Sequence, residues 1–193
     1  MEYNVSRKEI ILKRELNKLD KFVLDFIDVL KKHLNYVIIS GYVSILLGRT
    51  RATEDIDVFI EKISLEKFSN FYEDAKRHGF ECINAEKTEE VFSYLTEGFA
   101  IRFSRKGVPV PNFEIKFPKR EIDEETFNDF LTVILPEGKL KISSLERQIA
   151  FKRYYLKSEK DIEDAFHIEE LFKDRLNYDK INKFKNIIRN IKT

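Results

Sequence analysis

Residues 36–60 limit the fold more than any other part of this chain. In Asp55-Ile56-Asp57-Val58-Phe59-Ile60 the side chains alternate with the period of a strand: Ile56, Val58 and Ile60 face one way, and Asp55 and Asp57 the other. Strand interiors disfavour Asp, so two carboxylates on one strand face demand a reason, and a cation held between them is one. Upstream, the apolar run at 36–40 reads as a strand, Ser40-Gly41 as a turn, and 42–48 as a short helix. Where a strand hands over to a helix, the free backbone N–H groups of the first turn can hold an anion such as phosphate. The order is therefore an anion cradle followed by two metal ligands on a neighbouring strand, as a metal-bound triphosphate requires.

Taken together, Ser40-Gly41, Arg51-Ala52-Thr53 and Asp55-Ile56-Asp57-Val58 resemble the signature of the DNA polymerase beta-like nucleotidyltransferase superfamily. Within it, the resemblance is to the small prokaryotic proteins related to AbiEii-type toxins. The family pattern is an apolar strand, Gly-Gly or Gly-Ser, a helix, often Arg-x-Thr, then Asp-apolar-Asp-apolar. This chain departs from it at Ser40, which stands where a first glycine is usual, and in the bulky Tyr42 after Gly41. The resemblance implies an α/β (α+β) fold, a mixed β-sheet flanked by helices. It also implies magnesium-dependent transfer of a nucleoside monophosphate from a nucleoside triphosphate to a hydroxyl, with Ser40, Gly41, Arg51 and Thr53 at the nucleotide.

A site with two magnesium ions about 3.5–4 Å apart needs a further shared carboxylate. In Asn112-Phe113-Glu114-Ile115-Lys116-Phe117 the apolar residues alternate with Asn112, Glu114 and Lys116, so Glu114 is the candidate third ligand beside Asp55 and Asp57. The family has an acidic residue on a later strand, more often Asp. The bland reading of Glu114 is a solvent-facing partner of Lys116 or of a cross-strand base. That of Asp55 and Asp57 is exposure on an edge strand. An EF-hand reading fails because Phe59 and Ile60 occupy positions that need an oxygen ligand and a glycine.

Lys152 interrupts an otherwise apolar helix face formed with Leu145, Ile149 and Leu156, so it either snorkels to water or faces a phosphate across a cleft. The stretch 146–152 followed by Lys160-Asp161 and Asp164 resembles a second AbiEii-like signature. It implies that Lys152 binds phosphate and that Asp161 orients it or helps deprotonate the acceptor. Asp161 also fits a Ser158-x-x-Asp capping box, and Asp164 lies one helical turn later. Arg49 and Arg51 flank Thr50 just before the metal strand, placed for a phosphate or for surface charge. His33, His78 and His167 show no metal or triad spacing, and no Walker or Rossmann glycine pattern is present.

With 193 residues the chain can bury one full core with a helical appendage. A helix opened by Ser6 and Glu9 and running to Leu30 is expected first, then strand 55–61 and a Ser64-capped helix ended by Gly79. Strands are expected at 80–84, twice within 91–104, at 112–117 and at 132–135, with a short acidic helix at 122–130. From Ser143, which forms a capping box with Glu146, the remainder reads as helix. The expected division is an α/β domain over 1–138 and a helical subdomain over 139–193. Cys82 is the only cysteine, which removes intrachain disulfides and thiolate clusters and suits a reducing cytoplasm. No apolar run is long enough for a signal peptide or a membrane helix. Net charge is +1, so there is no global nucleic-acid signature, although 139–157 and 180–193 are locally basic. These stretches are solvated helix faces or a surface for a polyanion. The acceptors to weigh are an RNA 3′ end such as tRNA, a protein hydroxyl or a small molecule, with an antitoxin as partner if the toxin resemblance extends to biology. The alternative from another class is a nucleotide-binding regulatory module without turnover.

Overall fold

The computed structural model describes residues 1–192. Its elements are β1 Glu2–Asn4, β2 Glu9–Ile11, α1 Lys18–Leu30, β3 Tyr36–Ile38, α2 Gly41–Leu46, β4 Asp55–Ile60, α3 Leu65–Arg77, β5 Phe80–Cys82, α4 Thr88–Thr96, β6 Ile101–Arg105, β7 Val108–Lys116, α5 Glu121–Glu124, β8 Phe130–Leu135, β9 Gly138–Ser143, α6 Leu145–Ala150, a π-helical segment Phe151–Leu156, α7 Glu159–Phe172 and α8 Tyr178–Lys192. The strands form one mixed sheet in the order β1-β2-β8-β9-β3-β4-β7-β6-β5. The mixed α/β class expected from the sequence is thus observed.

The core is aromatic. Phe26 on α1 stacks on Phe113 of β7 with ring centroids 4.1 Å apart, and meets Phe80 of β5 edge-on at 4.9 Å and Phe71 of α3 at 6.0 Å. These rings fix α1 and α3 on one face of the sheet by burial and by edge-to-face geometry. The opposite face of β4 and β7 carries the polar residues, and α6, the π-helical segment and α7 pack together beside it.

Three local expectations are corrected. Ser6 does not cap a helix: its hydroxyl bonds Asn4 Oδ1 within the β1–β2 turn, Lys8 takes a left-handed φ of 54°, and β2 pairs in parallel with β8. Helix α1 instead starts at Lys18 under a capping box made by Asn17 and Asp20. Residues 91–96 are not a strand but the second half of α4, which buries Val91 and Leu95 one turn apart and ends at Gly98 with φ 85°. Finally, Ser143 is the last residue of β9, and Ser144 caps α6, its hydroxyl accepting from Arg147 N. The expected division at residue 138 falls at the head of β9, so the sheet runs on to Ser143.

Candidate active site

The parity read from the sequence brings the carboxylates to one face. Strand β4 pairs in parallel with β7, with Asp55 opposite Asn112 and Asp57 opposite Glu114, while Ile56, Val58, Phe113 and Ile115 are buried behind them. The Thr53 hydroxyl bonds the Asp55 carbonyl at 3.0 Å and its carboxylate at 3.3 Å, fixing the entry to the strand. Lys116 was read from the sequence only as a charge partner. Its Nζ lies 2.6 Å from Asp57 Oδ1 and 3.9 Å from Glu114 Oε1, and Arg102 approaches Glu114 at 3.6 Å. Among the described residues no three acidic, His or Cys side chains gather tightly enough to hold a metal ion as they stand. Asp55, Asp57 and Glu114 share a face, but an ammonium takes the place at Asp57 that a cation would take.

The donor set nevertheless fits a hard divalent cation. It consists of carboxylate oxygens without sulfur or imidazole, which suits magnesium. Beside Asp55, Asn112 Oδ1 is a buried oxygen that accepts no hydrogen bond within the protein. Buried oxygens of that kind are ordinarily satisfied by water or an ion.

The Ser40-Gly41 turn stores strain. Ser40 has φ 63° and ψ −134°, a backbone conformation natural to glycine, and its side chain makes no capping bond. This is the physical reason a glycine is usual there. Ser40→Gly is expected to stabilise the protein by about 1 kcal/mol, read as a higher urea midpoint; an unchanged or lower midpoint would mean that the hydroxyl compensates the strain. A Cβ on Gly41 would lie 2.6 Å from an Arg51 guanidinium nitrogen, so this glycine admits the arginine against the turn.

Arg51 is held by Asp164 through bonds of 3.1 and 2.9 Å. The same carboxylate accepts from Lys152 Nζ at 2.9 Å, and Arg49 lies 3.6 Å away. Lys152 is 1% exposed and Asp164 0%, so the lysine interrupts the apolar face because it has buried partners. Burial by itself raises the Asp164 carboxyl, but the bonds from Arg51 and Lys152 together outweigh it and hold the group below the usual carboxylate range. Asp161 is also engaged, by the Ser158 hydroxyl and by Lys152 Nζ at 3.4 Å. The α-helical stripe does not run through to Leu156, which is 47% exposed: Lys152 opens a π-helical turn in which Lys157 N bonds the Lys152 carbonyl, and the wider turn shifts the phase.

A pocket of ≈ 570 Å³ is lined by Ser40, Asp57, Lys116, Lys152, Arg120 and Arg147, whereas Asp55, Glu114, Gly41, Arg51 and Asp161 are not on its wall. Arg120 is fixed by Asp123 at 2.7 and 3.0 Å and stacks over Tyr155 at 4.5 Å. Arg147 is almost wholly buried, which pulls its guanidinium below the usual range despite Asp129 and Glu125 nearby. Sequence reasoning missed both arginines as lining residues. Arg147 lay within the basic stretch 139–157, whereas nothing local marked Arg120, whose position depends on the path of the loop after β7.

No protein-family model and no curated protein matches the chain. Solved structures are similar to it in fold. The crystal structure of ANT(2")-Ia in complex with adenylyl-2"-tobramycin aligns at TM-score 0.54 and 11% identity over 92% of this chain and 100% of that one. The solution structure of the same antibiotic-resistance factor aligns at 0.51 and 13% identity, over 88% and 90%. An antigenic nucleotidyltransferase-like protein from Paracoccidioides brasiliensis aligns at 0.50 and 20% identity, over 81% and 78%. The chain therefore has a nucleotidyltransferase-like fold.

Proposed function

We propose that this protein is a magnesium-dependent nucleotidyltransferase, on the Asp55, Asp57 and Glu114 site beside the pocket that holds Ser40 and Lys152. The observation that carries the reading is the parallel register of β4 and β7, which sets Glu114 directly opposite Asp57 on the polar face. Asp55, Asp57 and Glu114 would hold two magnesium ions. When bound, magnesium neutralises triphosphate charge and makes an acceptor hydroxyl more acidic.

The chain's own residues do the rest. The Ser40-Gly41 turn and Lys152 receive the triphosphate, Asp161 and Asp164 aim Lys152, Arg51 braces Gly41, and Thr53 fixes Asp55. The acceptor oxygen bonds to the α-phosphorus as the bond to the pyrophosphate oxygen breaks, and the hydroxyl proton leaves to water. Pre-positioned charge of this kind is where such catalysis gains most.

The lining carries Lys116, Lys119, Arg120, Arg147 and Lys152 against Asp57 and Asp123. That balance favours an anionic or neutral acceptor, such as an RNA 3′ end, a protein hydroxyl or a small molecule, over a polyamine. A tRNA acceptor, an antitoxin partner and AbiEii-type membership rest on the sequence resemblance. Among the described residues no helix is long and apolar enough to cross a membrane, and the lone Cys82 suits a cytoplasmic setting. One observation favours the second reading, a nucleotide-binding module without turnover: the Lys116 ammonium on Asp57.

The test incubates the protein with each labelled triphosphate, total RNA and total protein, with magnesium or with chelator. Magnesium-dependent labelling with pyrophosphate release is expected. Triphosphate binding without transfer to any acceptor would favour the second reading.

A further inference from the structure

Lys116 has a position that the proposed chemistry does not use. Its ammonium lies 2.6 Å from Asp57 and 3.9 Å from Glu114, the two carboxylates that the strand register sets side by side. Arg102 reaches Glu114 only at 3.6 Å from the far side, and Asp55 is held by Thr53 rather than by a base. Two neighbouring carboxylates on a half-buried face repel each other, and Lys116, the one of these two cations that lies against both, offsets that repulsion together with Arg102. The side chain also belongs to the pocket wall, next to Phe117, Lys119 and Arg120.

We infer that Lys116 is an internal stand-in for the divalent cation and a positioning residue that the cation releases. A divalent ion on Asp57 and a lysine ammonium within bonding distance of the same oxygen cannot coexist without strong repulsion. Its flexible stem lets the ammonium swing into the pocket, where it meets the anionic end of the substrate. Metal loading thereby creates a phosphate contact that the unloaded protein lacks. This rests on the proposed metal site at Asp57 and Glu114, and it goes further in making metal and triphosphate binding cooperative through one side chain.

The test uses the full chain as wild type, Lys116→Met and Asp57→Asn, with manganese as the probe and calorimetry and thermal unfolding as readouts. Lys116→Met is expected to bind manganese about tenfold more tightly, because a repelling charge is gone. It is also expected to melt below wild type without divalent ions and to recover on adding manganese. With manganese saturating, it should bind a non-hydrolysable triphosphate analogue about tenfold more weakly, since a cation that meets the phosphates is missing. A merely structural lysine does not produce opposite changes in metal and nucleotide affinity. Lys116→Gln, which keeps a polar side chain while removing the charge, repeats the measurement if the methionine variant does not fold. Manganese affinity equal to wild type in the Lys116 variants, with binding lost in Asp57→Asn, overturns the inference and leaves the proposed function standing. Manganese binding that is absent, or unaffected by Asp57→Asn, overturns both.

Discussion

Alanine at Asp57 is expected to lower nucleotidyl transfer by about 10³-fold or more, on the order of 4 kcal/mol of barrier, while the protein stays folded. Asp57 stands opposite Glu114 on the polar face and lines the pocket, so its loss removes one of the residues that would hold magnesium. The fold tolerates the change because the residues packed in the core are the intervening Ile56 and Val58. The ion pair with Lys116 is partly buried, but Glu114 remains 3.9 Å from the ammonium, so its loss costs on the order of 1 kcal/mol. The measurement is pyrophosphate release and acceptor labelling alongside a urea unfolding curve for both proteins. Equal transfer by wild type and variant would refute chemistry at this face. A collapse of the unfolding midpoint would show instead that Asp57 is structural.

Asp164→Ala is expected to cost about 3–5 kcal/mol of folding stability, or roughly 6–20 °C in melting temperature for a chain of this size. The carboxylate is fully buried and bonds Arg51 and Lys152, so truncation leaves the buried ammonium only its longer 3.4 Å bond to Asp161 and takes the carboxylate partner from a half-buried guanidinium. The lysine accounts for most of that cost, since it is 1% exposed whereas Arg51 has some access to water. Adding Lys152→Met to Asp164→Ala should therefore restore part of the loss, a coupling that a double-mutant cycle reads directly. The pH dependence has a definite sign. Because the folded Asp164 carboxyl lies below its usual range, its contribution is fully present above the unfolded value of about 3.9 and is lost as pH falls through the lower folded value. A change under about 1 kcal/mol in Asp164→Ala would mean that the cluster opens to water readily.

Activity should fall in the same variant for a reason apart from stability. Arg51 presses on Gly41 from the loop before β4, and Asp164 on α7 is what holds Arg51 there. The network ties the C-terminal helices to the Ser40-Gly41 turn and to the loop that leads into β4. Loss of Asp164 takes away the anchor of Arg51 beside Gly41 and leaves Lys152 with its longer bond to Asp161.

Local rules carried much of the reading. Strand parity alone put Asp55 and Asp57 on one face and Glu114 with Lys116 on one face, and both hold in β4 and β7. Ser64 and Ser158 cap their helices as their spacing implies, and Gly79 follows α3 with φ 78°. The failures share a cause. Strands β1 and β2 have three residues each, too short for a period to show, and they exist because β8 offers β2 a partner more than a hundred residues away. In α4, Val91, Phe92 and Tyr94 have the residue types of a strand, but α3 and β6 offer them a helix-sized groove.

By itself the sequence determined which side chains share a strand face and that Ser64 and Ser158 cap their helices, because covalent geometry and nearest neighbours along the chain govern these. The tertiary structure decided that Glu114 stands opposite Asp57, that Lys116 rests on Asp57, and that Lys152 is buried against Asp164. Those outcomes depend on which strands become neighbours and in what register, and on which charges are forced out of water together. Both are set by the burial of the whole core, which no short window of residues contains.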